Sequence, residues 1–310
     1  MLSKLKSLAD RHLCSFFKKT PLLGLELGRD ELRYLQLKKS GGQFHIEKLG
    51  VLSLTPENRE EQLAAWAEEL GLTGSELALA LPGQSVFKKQ IEVPAYFTEA
   101  ELMNELGFRL SQHFPGVPVA ELALDFVLAE VKEGRQRVLA VATKQKELQS
   151  QIQLFTQAGL RVKIVDVDLY ALTRAACPLF YAASDPSLPL AGLLDLRWSQ
   201  ASFLVFDQQE LVFHHQWPMD QALLMQQIKS IWQLFRTNHS RLKIAYLGLA
   251  GDLNGLECFA SQIEAELLLP VRVLNPFQGM THELDEKILS QLSPGFLLCC
   301  GLARRAGKHD

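Results

Sequence analysis

The chain has no run of about 18 to 20 unbroken apolar residues, the length a helix needs to cross a bilayer, and its start lacks the uninterrupted apolar stretch of a secretory signal. Both absences point to the cytoplasm. Positive charge is not in excess either: 32 Lys and Arg stand against 35 Asp and Glu, a formal net charge of −3, which argues against the concentrated basic face that nucleic-acid binding demands. Paired cysteine motifs are missing as well. Cys14, Cys177, Cys258, Cys299 and Cys300 are odd in number and form no CxxC, and most lie in apolar runs such as Phe296 to Cys300. They read as core thiols of a reducing compartment rather than as metal or disulfide ligands.

What is present is ordinary globular composition, 47% hydrophobic and 22% charged over 310 residues, which supplies a sizeable core. The length exceeds the roughly 100 to 200 residues of one domain and predicts two lobes. Residues 1–20 form a basic amphipathic segment, with Leu2, Leu5, Ala9, Leu13, Phe16 and Phe17 near helical spacing among Lys4, Lys6, Arg11, Lys18 and Lys19. A helix on an anionic membrane surface fits that pattern, and so do a docked terminal helix, an unstructured tail and a partner-binding helix.

From Leu22 the pattern changes to strands through Gly28, Leu32 to Lys38 and Phe44 to Leu52, joined by tight turns such as Ser40-Gly-Gly42. An amphipathic helix over Glu57 to Leu70 follows, with Leu63, Trp66, Ala67 and Leu70 on one face, then a strand from Glu76 to Leu81. Residues 83–158 read as an α+β insertion: a strand from Val86 to Val93, a helix opened by the capping box Thr98–Glu101, a hairpin around Lys132 to Arg135, and a helix over Gln145 to Ala158. After a strand from Leu160 to Val167 and a helix from Leu169 to Phe180, the break at Asp185 to Pro189 divides lobe one, 21–188, from lobe two, 189–310.

Lobe two restarts the same theme with strands at Ala191 to Asp195, Ser202 to Phe206 and Glu210 to Gln216. A helix over Asp220 to Phe235, a strand over Leu242 to Leu247, a Gly248 to Gly251 loop, a helix over Gly255 to Leu268, a strand over Val271 to Leu274 and a last helix from Pro294 complete it. Strand and helix alternate, so both lobes are α/β, and the repetition predicts a duplicated fold.

Two local clusters invite chemistry. His214 and His215 are adjacent, so on a strand they point to opposite faces and cannot chelate one ion together. Asp166 and Asp168 sit at strand spacing; a metal or acid–base pair would use both, whereas a helix N-cap at Asp168 uses one.

Several stretches, taken in order, resemble the PilM family of type IV pilus assembly proteins. They are Lys89-Gln-Ile-Glu-Val-Pro94, Phe114-Pro-Gly-Val-Pro118, Leu124-Asp-Phe126 and Val165-Asp-Val-Asp-Leu-Tyr-Ala171 in the first half, then Tyr246-Leu-Gly-Leu-Ala-Gly251, Val271-Arg-Val-Leu-Asn-Pro-Phe277 and Cys300-Gly-Leu-Ala303. The resemblance implies an actin-like, ribonuclease H-like fold of two lobes around a nucleotide cleft. It also implies partners: the cytoplasmic tail of a PilN-like inner-membrane protein, the pilus motor ATPases, and, with residues 1–20, a peripheral place on the inner membrane. A homodimer is compatible with it.

The same resemblance places the vestiges of a cleft at Glu26, Gly28, Arg29, Asp195, Arg197, Gly248 and Gly251. Glu26 stands where the family usually has Asp, Arg29-Asp30-Glu31 replaces small hydroxyl residues, and Arg197-Trp198 replaces Gly and a small residue. The link between Pro218 and the helix entering Asn238 is too short for the upper subdomain of lobe two. Two altered phosphate loops and a missing wall predict no ATP hydrolysis, no catalytic residue and no resident ATP or Mg²⁺, with weak nucleotide binding left open. The alternatives are a nucleotide-switched FtsA-like ATPase and a platform component of a type II secretion system. For the tail, the expected neighbourhood is Phe87, Lys89, Ile91, Leu102, Leu106 and Arg109.

Overall fold

The computed structural model describes residues 21–181, 190–197, 200–207 and 210–305; the segment 1–20, the break at Asp185 to Pro189 and Trp198 lie outside them. The chain opens with three strands, β1 (Leu23–Leu27), β2 (Glu31–Ser40) and β3 (Gln43–Ser53). The second turn holds Gly41 and Gly42 at φ +58° and +85°, consecutive left-handed positions that only glycine adopts without strain. Helix α1 (Arg59–Glu69) buries Leu63, Trp66 and Ala67, and β4 (Glu76–Leu81) returns parallel to β1.

A separate three-stranded sheet follows, made of β5 (Phe87–Pro94), β6 (Leu122–Lys132) and β7 (Arg135–Lys144) in the order β5-β7-β6 and covered by α2 (Glu99–Ser111). Helix α2 begins with the expected capping box: the Thr98 hydroxyl accepts from the Glu101 backbone N–H, and the Glu101 carboxylate accepts from that of Thr98. Helix α3 (Gln145–Gln157) buries Phe155 in the lobe-one core and Leu148 under the inserted sheet. Then β8 (Arg161–Val167) joins β4 in parallel and leads into α4 (Asp168–Phe180).

The second half repeats this plan through β9 (Leu190–Arg197), β10 (Gln200–Asp207), β11 (Glu210–Pro218), α5 (Leu224–Asn238), β12 (Ile244–Gly251), α6 (Leu256–Leu267) and β13 (Val271–Val273). The first sheet runs β3-β2-β1-β4-β8 and the second β11-β10-β9-β12-β13. In each, the first three strands pair antiparallel, the fourth adds in parallel beside the first, and the fifth adds in parallel beside the fourth. Identical order and direction in both sheets make this a duplicated α/β architecture. Only Met219 to Leu223 link β11 to α5, so no subdomain intervenes there.

Two short helices close the chain, α7 (Glu286–Leu292) and α8 (Leu297–Ala303). The sequence pattern missed α7, a short helix whose signal is the cap Asp285, which accepts from the N–H groups of Lys287 and Ile288. Helix α8 is the joint of the molecule. Its Cys299, Cys300, Leu302 and Ala303 share one core with Leu172, Ala175 and Ala176 of α4 and with Leu193, Leu204 and Phe206 of lobe two. A Cβ on Gly301 would fall 1.9 Å from the Ala171 carbonyl oxygen, and one on Gly24 2.5 Å from that of Cys299. Glycine at both positions lets α8 wedge between α4 and β1.

Candidate functional site

The parallel strands of both sheets end at the junction of the lobes, the position where α/β sheets place their ligands. Four carboxylates arrive there from strand ends: Glu26 from β1, Asp168 from the β8–α4 junction, Asp195 from β9 and Asp252 from beyond β12. All line, or are bonded to groups that line, a cleft of about 170 Å³ that also receives Arg29, Glu31, Arg33, Arg197 and Gln200.

Arg197 is the centre of this cluster. Its Nε donates to Asp195 Oδ2 at 2.6 Å, Nη1 to Glu26 Oε1 at 3.4 Å and Nη2 to Asp168 Oδ2 at 3.2 Å. Asp195 and Arg197 lie two apart on one strand and share a face, which is why the first contact forms. Asp168 is saturated by further donors: Gln216 Nε2 at 3.0 Å and Gln200 Nε2 at 3.2 Å reach Oδ2, while the N–H groups of Gly83 and Leu169 reach Oδ1 at 2.9 and 2.7 Å. A Cβ on Gly83 would meet Gln216 at 2.3 Å, so glycine is needed for that approach.

A second bridge runs in the opposite direction. Arg33 of β2 pairs with Glu31 and Asp252 and donates to the Gly295 carbonyl at 3.2 Å. Burial pushes the carboxyls of Glu26, Glu31 and Asp195 above their ordinary range, against the pull of the neighbouring guanidiniums. Burial and the nearby Glu26 raise Asp252 to about 7 in spite of Arg33. The Arg197 guanidinium is held more firmly protonated than usual, because Asp195, Glu26 and Asp168 outweigh its desolvation.

The other residues expected at the cleft have local roles. Gly28 closes the β1–β2 turn, its N–H donating to the Glu31 carbonyl at 2.8 Å. Arg29 is exposed at the rim, paired with Asp30. Gly248, expected in a loop, is inside β12, where a Cβ would collide with Phe180 and Leu274; it packs strand against helix and does not line the cleft. Gly251 ends β12 at φ +124°, with the Leu196 carbonyl oxygen 2.0 Å from where a Cβ would stand. That close contact steers the chain so that Asp252 reaches Arg33. Sequence reasoning passed over Arg33, Asp252, Gln200 and Gln216. A signal for Arg33 existed: a charged residue inside the apolar run Leu32 to Leu35, directly across from Glu26 in the β1–β2 register.

The two local clusters also resolve. Asp166 pairs with Arg174 and Arg305 at 2.7 and 3.2 Å, whereas Asp168 faces Arg197, so the two serve different partners. His214 and His215 do not converge on an ion, and among the described residues no group of three or more His, Cys, Asp and Glu is arranged to hold one.

The residues expected around the tail divide. Ile91, Leu102 and Leu106 are buried at 3, 5 and 0% exposure in the insertion's own core, with Val93, Leu110, Val138, Ala140 and Ala142, so they cannot contact a partner without unpacking it. Helix α2 uses that face to cover its sheet. Arg109 pairs with Glu105 along the helix at 2.6 Å, and Lys89 is exposed on β5. Phe87 stacks on His113 at 3.8 Å and meets Phe114 edge-on at 6.4 Å. Phe114 in turn lines a groove of about 520 Å³ between the insertion and both lobes, together with Pro82, Gln84, Lys144, Gln200 and Pro218.

Two lobes of one strand order, with acidic strand ends facing a shared cleft, define a protein of the actin-like fold. The family described as type IV pilus assembly protein PilM matches residues 24–219 and 217–307, and the chain belongs to that family. A chain of the PilM-PilN type IV pilus biogenesis complex is similar over 93% of this chain and 99% of its own, with TM-score 0.75 at 19% identity. A Bacteroides thetaiotaomicron protein with an actin-like ATPase fold and unknown function is similar over 92% and 100%, with TM-score 0.52 at 11% identity. The likeness to these structures is one of fold. No helix among the described residues is long and apolar enough to cross a membrane.

Proposed function

We propose that this protein is a cytoplasmic scaffold of the type IV pilus assembly platform, which holds the tail of a PilN-like inner-membrane protein in the groove below the insertion and presents it to the pilus motor. The groove carries this reading. Its volume of about 520 Å³ suits a short peptide segment, with Phe114, braced by Phe87, as an apolar anchor and Lys144 and Glu147 as charged flanks. Among the described residues the neighbouring strand β5 pairs on one side only, with β7, so an extended tail has a sheet edge to join. One of the structures similar to this chain is itself of a PilM-PilN complex, which makes a PilN-like tail the natural ligand to try.

In this reading the protein does its work by attachment rather than by turnover of ATP. Residues 1–20 add a second, weak hold on the anionic inner-membrane surface, and two weak holds on one membrane reinforce each other through effective concentration. Calorimetric titration with a synthetic tail of the cognate PilN-like protein should give saturable binding. Phe114→Ala should weaken it at least about tenfold, equivalent to about 1.4 kcal/mol. A folded wild-type protein that takes up no tail, or a Phe114→Ala variant that binds as well as wild type, sinks the proposal.

A further inference from the structure

An actin-like site holding a nucleotide needs a divalent cation among the carboxylates at the lobe junction, and it needs room for phosphates. The residues present fit neither requirement. The one point where Glu26, Asp168 and Asp195 converge is taken by the Arg197 guanidinium, which bonds all three. A cation such as Mg²⁺ requires several oxygens at about 2.0–2.1 Å, and a side chain with its own donors on those oxygens prevents that approach. The space left, about 170 Å³, is below the roughly 300 Å³ at which small-molecule pockets begin.

The charges of the cluster agree. Five carboxylates, Glu26, Glu31, Asp168, Asp195 and Asp252, share two buried guanidiniums, Arg33 and Arg197. A triphosphate would enter a site whose acidic groups already outnumber its guanidiniums, whereas a cation is wanted there and one is already built in.

The direction of each bond gives the cluster a mechanical meaning. Arg197 belongs to lobe two and two of its three carboxylates, Glu26 and Asp168, belong to lobe one. Arg33 belongs to lobe one and bonds Asp252 and the Gly295 carbonyl of lobe two. Gln200 and Gln216 of lobe two both donate to Asp168 of lobe one. In an ordinary actin-like protein the ligand itself spans the two lobes, and here side chains span them.

We infer that Arg197 is a resident internal cation that takes the place of the divalent metal and, with Arg33, holds the two lobes closed with no nucleotide bound. The closed state is then built into the sequence and is not a response to ATP. This goes beyond the tail-binding reading and does not depend on it: a protein that ignores the tail can still carry the clamp.

The test compares wild type with Arg197→Gly and with the neutral Arg197→Gln, using Mn²⁺ as the probe by electron paramagnetic resonance and by thermal shift. Wild type should bind no Mn²⁺ at millimolar concentration, and its melting temperature and small-angle scattering profile should not change with Mg-ATP. Arg197→Gly should melt lower, bind Mn²⁺ in the emptied position and regain stability with it. Asp195→Asn added to that variant should abolish the binding. Mn²⁺ or Mg-ATP binding to the wild-type cleft, compaction of wild type on adding Mg-ATP, or a folded Arg197→Gly that ignores Mn²⁺ would each overturn the inference. Should Arg197→Gly not fold, Arg197→Gln supplies the Mn²⁺ measurement and the wild-type scattering still decides whether closure needs nucleotide.

Discussion

The surplus of buried carboxylates has a consequence for stability against pH that can be given a sign and a size. Asp252 titrates at about 7 in the folded chain, against an ordinary 3.8, because it is buried beside Glu26 and Asp195 with Arg33 as its cation. An acid whose folded value is raised binds its proton more tightly folded than unfolded, so its contribution is largest at low pH. That contribution is lost as pH climbs from about 4 to about 7 and is constant above. Each pH unit across such an interval is worth about 1.4 kcal/mol, and coupling to Glu26 and Asp195 spreads the effect, so about 2–4 kcal/mol is expected in all. Other groups facing the cluster complicate the raw curve: Lys88 and His214 lie near Asp168, Cys299 lies near Glu26 and Arg33, and His214 and His215 are pushed below their usual range by burial. Lowered histidines gain stability as pH rises, the opposite sign. The informative quantity is therefore the difference between wild type and Asp252→Asn, which keeps an oxygen for Arg33 and removes the titration. Urea unfolding followed by tryptophan fluorescence, from pH 4.5 to 8, should show the variant gaining on wild type by about 2–4 kcal/mol, most of it below pH 7. A difference that stays flat, or that moves towards wild type with rising pH, would show that Asp252 is an ordinary ionised partner of Arg33.

Two packing predictions follow from backbone geometry. Gly301→Ala puts a methyl where the Ala171 carbonyl oxygen stands 1.9 Å away, so α8 must move off α4; a loss of about 2–3 kcal/mol in denaturant unfolding is expected, and a neutral result would mean that the two helices do not touch there. Leu268, left-handed at φ 52° after α6 and 90% exposed, bears the strain of that conformation with no packing in return; Leu268→Gly should raise stability by about 0.5–1 kcal/mol, read as a small rise in melting temperature, and a loss would point to a partner that covers it.

The alternation of apolar residues made the duplication legible. Strands such as Leu23–Leu27 and Leu190–Arg197, followed each time by two more strands, showed as similar openings before any pairing was known. The capping box at Thr98 and the paired glycines at 41 and 42 were equally plain, because each is a local device whose chemistry is complete within a few residues. What stayed hidden was long-range. Nothing near Arg33 in sequence announces Asp252, 219 positions away, and nothing near Gln216 announces Asp168. The apolar stripe of α2 was legible as a stripe, but whether it faced a partner or its own sheet depended on where β5 and β7 lay, so Ile91, Leu102 and Leu106 were placed on the wrong side of that question. Gly248 misled for a related reason: a glycine that ends a strand and one that lets Phe180 pack against its middle look alike in one dimension.

Two of the stretches that resemble the family build the joint of the molecule and carry Asp168 to the cleft, where the departures lie, and this division of labour has a physical meaning. Val165 to Ala171 and Cys300 to Ala303 meet at the α4–α8 crossing, where Gly301 rests on Ala171, and together they form the joint on which the lobes are mounted. Glu26 and Arg197, the departures, meet at the cleft in a single ion pair that spans the lobes. The groove couples the two regions, because Gln200 both lines it and donates to Asp168 in the charged cluster, and Pro82 lines both groove and cleft. A groove whose walls come from the insertion and from both lobes has a fixed shape only while the lobes keep one spacing. On the inferred clamp the Arg197 cluster fixes that spacing, so the groove would be preorganised and the proposed tail would not have to close the lobes first, a saving that appears directly as affinity.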